Sequence, residues 1–381
     1  MKVLFAVQGE GRGHMTQAMA AAEMLRSAGH EVVGVAVGTN PSRSLPDFFA
    51  KSFDVPLLVL ASPGFIYREG RSVDLFRTAN RMVRDLGRYR RSLRDLDDLV
   101  ARCRPDVVVN FLDPVTGLWA GTRRRANRPP VVAVGHQFLL RHPTYVRREG
   151  CWLQTAGLQR YVDVVGLGSH RLALSFYEAD DMPEHDTVVC PPLLRRAVSR
   201  LPVTHGRHVV AYVINHGYAE DIRAWHRQNP GVELHCFHDR PGAPESEEVG
   251  GGLWFHRLHG QRFLEFMASG RGVVCTAGFE SISEAAYLGK PAMVVPVEGH
   301  IEQQLNAIDA CRCGLAVPSP RFDIGRLLEA APTTGHQRFR EWVDRAEGVF
   351  LGTLERVAGL RAKSPGRPKV PEPCSAQRIA A

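Results

Sequence analysis

The chain has 381 residues, more than one hydrophobic core usually serves, and domains of about 100 to 200 residues predict two of them. Hydrophobic residues make up 44% of the chain and charged residues 23%, which argues against long disordered tracts. No apolar run reaches the roughly 18 residues of a membrane span, and Met1–Val7 runs into a strand pattern rather than a signal peptide, so we expect a cytoplasmic protein. The net charge of +8 decides little, but without a zinc-finger spacing or an aromatic RNA-binding motif we expect no nucleic-acid partner.

The predicted elements begin with a βαβ unit. Lys2–Val7 has the pattern of a buried strand, and the glycine cluster Gly9–Gly13 after it leads into apolar positions at helical spacing. Gly29 stands where a helix C-cap belongs, and Glu31–Val37 resumes as a buried strand. Two strands joined by a helix in this way predict a parallel sheet.

Strands and helices keep alternating through the first half of the chain. The longest helical stretch is about Ser72–Cys103, and the further predicted strands are Leu57–Ala61, Asp106–Asn110, Val131–Gly135 and Val162–Leu167. The pattern predicts a Rossmann-like domain over residues 1–190. A Pro- and Arg-rich stretch interrupts it and predicts a linker over residues 191–207.

A second alternating series follows and predicts another Rossmann-like domain over residues 208–335. A helical pattern covers residues 336–360, and residues 361–381, rich in Pro and basic side chains, lack the apolar content to pack, which predicts a disordered tail. The fold class is therefore α/β with two Rossmann-like domains. The predicted elements of the second domain are strands His208–Ile214, Val232–Phe237, Leu253–Phe255, Gly272–Thr276 and Ala292–Val297, and helices near Glu220–Gln228, Arg262–Ser269, Ser281–Leu288 and Gln303–Cys311.

Ligands of open α/β domains bind at the carboxyl ends of the strands, and the best such loop follows Thr276. A tight turn at Gly278 leads into a helix whose free N–H groups and positive dipole end suit a phosphate. Glu280 and Glu284 lie one turn apart on one helical face, so their charges repel. A ribose diol would compensate this, because a carboxylate accepts hydrogen bonds from both hydroxyls, and Glu284 is the better placed. For Glu280 a solvated helix face is the alternative.

A polar cluster, Glu302, Gln303 and Gln304, lies at the start of the next predicted helix. A carboxylate accepts hydrogen bonds only, whereas an amide both donates and accepts. This mixture can distinguish axial from equatorial sugar hydroxyls. The alternative is simple N-terminal capping with an exposed helix face.

Together, T-A-G-F-E-S-I-S-E-A at 276–285, G-K-P at 289–291 and E-Q-Q-L-N-A at 302–307 resemble the donor-binding segment of GT-B glycosyltransferases. The resemblance is to the UDP-glycosyltransferases and to the enzyme that adds N-acetylglucosamine to the peptidoglycan lipid precursor. It implies two domains facing across a cleft, a nucleotide-sugar co-substrate, by this likeness a UDP-sugar, and neither a further cofactor nor a metal. The implied donor-binding positions are Gly278, Phe279, Glu280 and Ser281 along the diphosphate and nucleoside, Glu284 on the ribose, Gln303 and Gln304 on the sugar, Leu258 and His259 near the base, and Asn215 and His216 near the diphosphate.

The glycine cluster at the N-terminus is not a dinucleotide fingerprint, because G-x-G-x-x-G would require glycine where His14 stands, and no acidic residue follows the second strand. The same stretch resembles the glycine-rich loop of GT-B N-terminal domains. That resemblance implies Gly11 and Gly13 in the acceptor site and His14 as the base that takes a proton from the acceptor hydroxyl. Imidazole suits this role because it titrates near pH 6.5. Without the resemblance, a histidine at a helix start is more often a cap.

An imidazole base needs an orienting partner, and Asp113 is the nearest plausible carboxylate on the cleft edge. The alternatives are that Asp113 only shapes a turn with Pro114, or that His14 acts unassisted. Gly135-His136-Gln137-Phe138 follows another predicted strand and partly resembles the H-E-Q-N segment of the peptidoglycan enzyme, which implies His136 and Gln137 in the acceptor site.

Retaining GT-B enzymes carry two Glu about seven residues apart in this region, and Thr276 stands at the first position, which favours an inverting transfer to a hydroxyl of a lipid, glycan or small molecule. The alternatives are a non-hydrolysing nucleotide-sugar epimerase and a non-catalytic nucleotide-sugar-binding protein. An Arg-rich face in Ser72–Cys103 is either solvated or makes peripheral contact with an anionic membrane.

Overall fold

The computed structural model describes residues 1–9, 11–40, 45–64, 67–68, 72–73, 75–213, 218–238, 242–329 and 334–360. Within these ranges the chain forms two seven-stranded sheets and one two-stranded hairpin. The strands of the first half are β1 (Lys2–Gln8), β2 (Glu31–Thr39), β3 (Leu57–Ala61), β4 (Tyr67–Arg68), β5 (Ser72–Val73), β6 (Val107–Phe111), β7 (Val131–Gly135), β8 (His170–Leu174) and β9 (Thr187–Cys190).

The first sheet has the order β3-β2-β1-β6-β7-β8-β9 and all its strands are parallel. Its central strands are buried along nearly their whole length, as expected for a sheet covered by helices on both faces. The hairpin of β4 and β5 is separate and antiparallel. The helices of this half are α1 (Arg12–Ser27), α2 (Asp47–Ala50), α3 (Leu75–Arg84), α4 (Leu86–Cys103), α5 (Pro114–Thr122), α6 (Trp152–Val165) and α7 (Arg196–Arg200).

The strands of the second half are β10 (Val209–Val213), β11 (Leu234–His238), β12 (Ser246–Gly250), β13 (Leu253–Arg257), β14 (Gly272–Cys275), β15 (Ala292–Val294) and β16 (Val317–Pro318). They form a sheet in the order β12-β13-β11-β10-β14-β15-β16, parallel except for the edge pair β12–β13. The helices are α8 (Ala219–Gln228), α9 (Gly260–Ser269), α10 (Phe279–Tyr287), α11 (Ile301–Arg312), α12 (Gly325–Glu329), α13 (His336–Val343) and α14 (Ala346–Val357). The predicted α/β class with two Rossmann-like domains is confirmed.

One predicted strand, Val162–Leu167, is wrong. These residues form the last turn of α6 and the turn after it, and the next strand begins at His170. Val162 and Val165 lie three residues apart on one helical face and are both buried, so packing overrides the strand preference of these β-branched side chains.

Two long predicted helices are each interrupted. In the stretch predicted from Ser72 to Cys103, residues 72–73 belong to a strand, and Asp85 separates α3 from α4 while pairing with Arg81 and Arg88. The C-terminal pattern divides into α13 and α14. The predicted disordered tail lies outside the described residues. Within the part of the chain that the structure describes, no helix is long and apolar enough to span a bilayer.

The two C-terminal helices pack against the first half of the chain. Nε1 of Trp342 donates a hydrogen bond to the carbonyl of Ser175 at 2.9 Å, and Arg345 pairs with Glu178 at 2.7 Å. Phe350 is fully buried in a cluster that includes residues of both sheets. The chain therefore crosses from the first half to the second and returns.

Lys290 fixes the segment after α7 to the second half. Its side chain is fully buried, and Nζ donates to the carbonyl of Gly270 at 2.8 Å and to the carbonyl of Thr204. Burial lowers the pKa of this amine. The lysine of the G-K-P motif thus has a structural role, since it links the segment after α7 to the second half.

Candidate active site

A cleft of about 250 Å³ lies between the carboxyl ends of the two sheets. Residues that follow β1, β6 and β7 line one side of it, and residues that follow β14 and β15 line the other. The predicted site residues that line this cleft are Gly11, Gly13, His14, His136, Gln137, Leu258, Gly278, Phe279, Glu280, Ser281, Glu284, Glu302 and Gln303.

Two glycines near the start of α1 allow close contacts, one within the first half and one with the second half. A Cβ at Gly9 would lie 2.6 Å from Cγ2 of Thr39, so this turn requires glycine. A Cβ at Gly13 would lie 3.3 Å from Cγ of Glu280, and a larger side chain would force α1 away from α10. The first turn of α1, with His14, therefore faces the second half across the cleft.

His14 has an amide as its hydrogen-bonding partner. Its Nδ1 lies 3.4 Å from Oε1 of Gln17, an oxygen that only accepts, so Nδ1 carries the proton and Nε2 keeps its lone pair. Burial lowers the pKa of the imidazole, and the charge of Glu302 acts in the opposite direction. A neutral imidazole with an available Nε2 can accept a proton. Gln17 was not singled out from the sequence, although it lies one helical turn after His14.

Gln17 also reaches across the cleft. Its Nε2 donates a hydrogen bond to Oε1 of Glu280 at 2.7 Å. Glu280 lies in the first turn of α10 and is 7% exposed. Burial raises the pKa of this carboxyl group to about 8, and the charge of Glu284 acts in the same direction. Among the described residues, its Oε2 is buried without a hydrogen-bond partner.

Glu284 is paired with an arginine that the sequence reasoning missed. Nη2 and Nε of Arg195 lie 2.5 Å and 3.1 Å from Oε1 of Glu284. Arg195 belongs to the stretch predicted as a linker, where one arginine among several carried no distinguishing signal. The repulsion expected between Glu280 and Glu284 is thus offset inside the protein, by Arg195 and by the raised pKa of Glu280, which favours its neutral form, without a ligand.

The polar cluster on α11 divides into three separate environments. Oε1 of Glu302 accepts from Nε2 of Gln137 across the cleft at 2.8 Å. Oε1 of Gln303 accepts from the backbone N–H of Val297 at 2.8 Å, which fixes its amide. Gln304 accepts from Arg148 and does not line the cleft. The structure therefore brings Glu302 and Gln303, but not Gln304, to the lining of the cleft.

His136 lies against the start of α10. Its Nδ1 donates to the carbonyl of Leu174 at 2.7 Å, and its ring stacks on Phe279 with the centroids 4.3 Å apart. Burial lowers the pKa of His136 to about 4. The ring is therefore neutral and packs Phe279 between the two halves.

Asp113 is not the partner of His14. It is the N-cap of α5: Oδ2 accepts from the N–H and hydroxyl of Thr116 at 2.8 and 2.7 Å, and Oδ1 accepts from Ser62 at 2.6 Å. Its carboxylate is therefore fully used by its own domain, in agreement with the alternative of a turn with Pro114.

Of three other predicted site residues, one does not line the cleft and two lie outside the described residues. His259 is exposed and caps α9 by accepting from the N–H of Arg262 at 3.3 Å, whereas its neighbour Leu258 lines the cleft. Asn215 and His216 lie outside the described residues.

The loop before α10 has a strained backbone that a buried side chain stabilises. Ala277 adopts φ +57°, a conformation that costs a residue with a side chain of order 1 kcal/mol or more. Nδ2 of the buried Asn306 donates to the carbonyl of Ala277 at 3.1 Å. The asparagine of E-Q-Q-L-N-A thus fixes the turn that precedes α10.

A family model described as "Glycosyl transferase family 1" matches residues 1–328. The chain belongs to glycosyl transferase family 1. This glycosyltransferase is 24% identical to an uncharacterized glycosyltransferase of Methanosarcina acetivorans over 337 residues, which cover 81% of this chain and 80% of that protein.

Solved glycosyltransferase structures share its fold. One is UGT89C1 of Arabidopsis thaliana, complexed with quercetin, at 15% identity and a TM-score of 0.59, covering 94% of this chain and 98% of that one. Another is UGT71G1 of Medicago truncatula, complexed with UDP-glucose, at 13% identity and the same TM-score of 0.59, with coverage of 94% and 98%. The two-domain GT-B arrangement is confirmed.

In the described ranges of the glycosyltransferase, no three His, Cys, Asp or Glu side chains come together in a group that could hold a metal ion.

Proposed function

We propose that this glycosyltransferase transfers the sugar of a nucleoside diphosphate donor, a UDP-sugar, to a hydroxyl group of an acceptor, with inversion at the anomeric carbon. The observation that carries the proposal is the position of His14 in one cleft with Glu284, Glu302 and Gln303. A related fold that is complexed with UDP-glucose supports the choice of donor.

The second half of the molecule offers groups for each part of such a donor. The first N–H groups of α10 have no partner within the helix and suit the diphosphate, so the charge of the leaving group can be offset without a metal. Arg195 occupies Oε1 of Glu284, which leaves Oε2 to accept from the ribose hydroxyls. Glu302 and Gln303 lie where they can read the sugar hydroxyls.

The first half supplies the base. The acceptor oxygen attacks the anomeric carbon while the bond from that carbon to the diphosphate oxygen breaks, and its electron pair leaves with the diphosphate. The proton of the acceptor hydroxyl passes to Nε2 of His14. Attack from the side opposite the diphosphate inverts the configuration, in keeping with Thr276 at the position where retaining enzymes carry Glu.

The acceptor side of the cleft is partly apolar. Phe48, Leu158 and Tyr161 line it together with the polar Gln8 and Gln137. This surface favours an acceptor that presents an apolar body beside the reacting hydroxyl. A lipid and an aromatic small molecule both have this character.

Peripheral membrane contact is a further part of the proposal. Arginines on α3 and α4 are exposed and fit either a solvated face or an anionic membrane: Arg84, Arg88, Arg90, Arg91 and Arg94. Sedimentation with anionic vesicles at low salt distinguishes the two, and failure to sediment would leave only the solvated face.

The donor assignment is tested with a thermal-shift panel of UDP, GDP and dTDP sugars. A ligand at about 100 times its Kd adds about 2.7 kcal/mol of stability, which shifts the melting temperature visibly. Glu284→Ala should abolish the shift, whereas Glu265→Ala, an exposed glutamate on α9, should retain it. No shift with any nucleotide sugar, or a full shift with Glu284→Ala, would overturn the assignment.

The reaction is tested by UDP release and by product analysis. Release of UDP should depend on an added acceptor, and NMR of the product should show the anomeric configuration opposite to that of the donor. A product with the donor's configuration would contradict inversion.

A further inference from the structure

Among the described residues, no cation forms an ion pair with the buried acid Glu280. It is 7% exposed, and the nearby guanidinium of Arg195 is hydrogen-bonded to Glu284 instead. A carboxylate in such surroundings is costly, whereas a protonated carboxyl group requires only hydrogen-bonding partners. Burial accordingly raises the pKa of Glu280 to about 8.

The hydrogen bond from Gln17 shows which oxygen carries the proton. Nε2 of Gln17 donates to Oε1 of Glu280 at 2.7 Å, so Oε1 acts as the acceptor. Oε2 is buried and has no partner among the described residues. The hydroxyl of a protonated Glu280 is therefore at Oε2 and lacks an acceptor.

The position of Glu280 indicates what this hydroxyl would meet. Glu280 is in the first turn of α10, and the residues at this end of the helix line the cleft. An anion at this helix end would accept from the first N–H groups of the helix and from Oε2 together. A carboxylate at the same position would repel it.

We propose that Glu280 is protonated when the donor binds and donates a hydrogen bond from Oε2 to an oxygen of the donor's diphosphate. The inference rests on the proposed function, because it takes the ligand at α10 to be a nucleoside diphosphate. What is new is the proton on Oε2 of Glu280, which the free protein already carries and which donor binding requires.

Other charged and titratable groups that line the same cleft as Glu280 come from both halves of the molecule. Glu284 lies on the same helix, Arg195 on the segment before α7, His14 on α1, Glu302 on α11 and His136 after β7. Burial lowers the pKa of both His14 and His136, so neither histidine changes charge between pH 7 and pH 9.5. The second ionisation of a phosphate, near pH 6, is almost complete at pH 7.5.

The test measures the Kd of UDP by calorimetry between pH 7.5 and 9.5. Wild-type affinity should fall about tenfold for each pH unit above 8, since the fraction of protonated Glu280 falls in that proportion. Glu280→Gln cannot ionise and keeps both a donor and an acceptor, so its affinity should stay flat across this range. Glu265→Gln should follow the wild type.

A second measurement needs no ligand. The infrared difference spectrum of wild type minus Glu280→Gln should contain the C=O stretch of a protonated carboxyl group at pH 7 and lack it at pH 9.5. The subtraction removes the contribution of the other buried acids Asp113 and Asp309, whose pKa values burial also raises. Absence of this band at pH 7, or the same pH dependence of UDP binding in wild type and Glu280→Gln, overturns the inference while leaving UDP binding itself intact. If neither UDP nor any nucleotide sugar binds, the proposed function fails, and the hydrogen bond to the diphosphate fails with it.

Discussion

Nη2 of Arg195 lies 2.5 Å from Oε1 of Glu284, and the two side chains are only 14% and 4% exposed. The pair joins the segment before α7 to helix α10. Because the arginine lies 89 residues before the glutamate, the ribose end of the proposed donor site depends on a residue outside the segment 276–307.

Replacing Arg195 by alanine should weaken both the fold and donor binding. Glu284 would become a buried carboxylate without its partner, which costs about 3 to 5 kcal/mol in comparable buried pairs. We expect Arg195→Ala to lower the free energy of unfolding by about 3 kcal/mol in urea titrations and to weaken UDP binding at least tenfold.

The neighbouring Arg196 is a matched control. Its side chain is 39% exposed, and its guanidinium lies 3.5 Å from a half-exposed Glu347, so Arg196→Ala should cost no more than about 1 kcal/mol. Equal effects of the two substitutions would contradict a specific role for Arg195.

His14→Ala should lower kcat by about 10²- to 10⁴-fold while the Kd of UDP stays within a factor of about two to three, because the base acts on the acceptor. Burial lowers the pKa of His14 below 6.5, and the imidazole accepts a proton only when neutral. The rate should therefore be maintained at pH 6.5 and fall as the pH drops through the lowered pKa, which a profile of kcat from pH 4.5 to 7.5 would show.

Gln17 should affect the same profile through the orientation of the imidazole. Gln17→Ala removes the acceptor at Nδ1, so we expect a lower kcat and a shifted acidic limb. His185→Ala, which changes a histidine outside the cleft lining, should leave kcat unchanged. An acidic limb that survives in His14→Ala would exclude His14 as the base.

Asp113→Ala should reduce stability rather than catalysis. The substitution removes the N-cap of α5 and the acceptor of Ser62, and the loss of a helix cap costs about 0.5 to 2 kcal/mol. Urea unfolding should report this loss, and kcat of the folded protein should stay within about twofold. A drop in kcat of a hundredfold would restore Asp113 as the partner of His14.

Lys290→Met should destabilise the junction between α7 and the second sheet. The carbonyls of Gly270 and Thr204 would lose a charged donor in a buried position, which costs about 1 to 3 kcal/mol. The exposed Lys51→Met is the control and should lie within about 0.5 kcal/mol of the wild type. Unchanged stability of Lys290→Met would show that the two hydrogen bonds of Lys290 make no net contribution to the free energy of unfolding.

Sequence patterns were most informative where local chemistry decides the structure. Buried strands bounded by glycine or proline, and the turn at Gly278 followed by a helix, are recognisable without tertiary information. The strand predicted at Val162–Leu167 was wrong because β-branched residues on a packed helix face have the sequence pattern of a buried strand.

The contacts between the two halves could not be predicted from the sequence. Gln17 meets Glu280 across 263 residues, and nothing near either residue specifies the approach of α1 to α10. Gly13 is a local feature of the sequence that fits this close approach, because a glycine leaves room for the side chain of Glu280. Asp113 was misassigned for the converse reason: a carboxylate after a strand can equally well cap the next helix.

The return of α13 and α14 to the first half has a mechanical consequence. Two covalent crossings, one before β10 and one before α13, define a line between the halves, and Trp342 anchors the second crossing to Ser175. Any separation of the two halves that opens the cleft must keep both crossings intact. Such a movement would carry α10 away from α1 and break the hydrogen bond between Gln17 and Glu280.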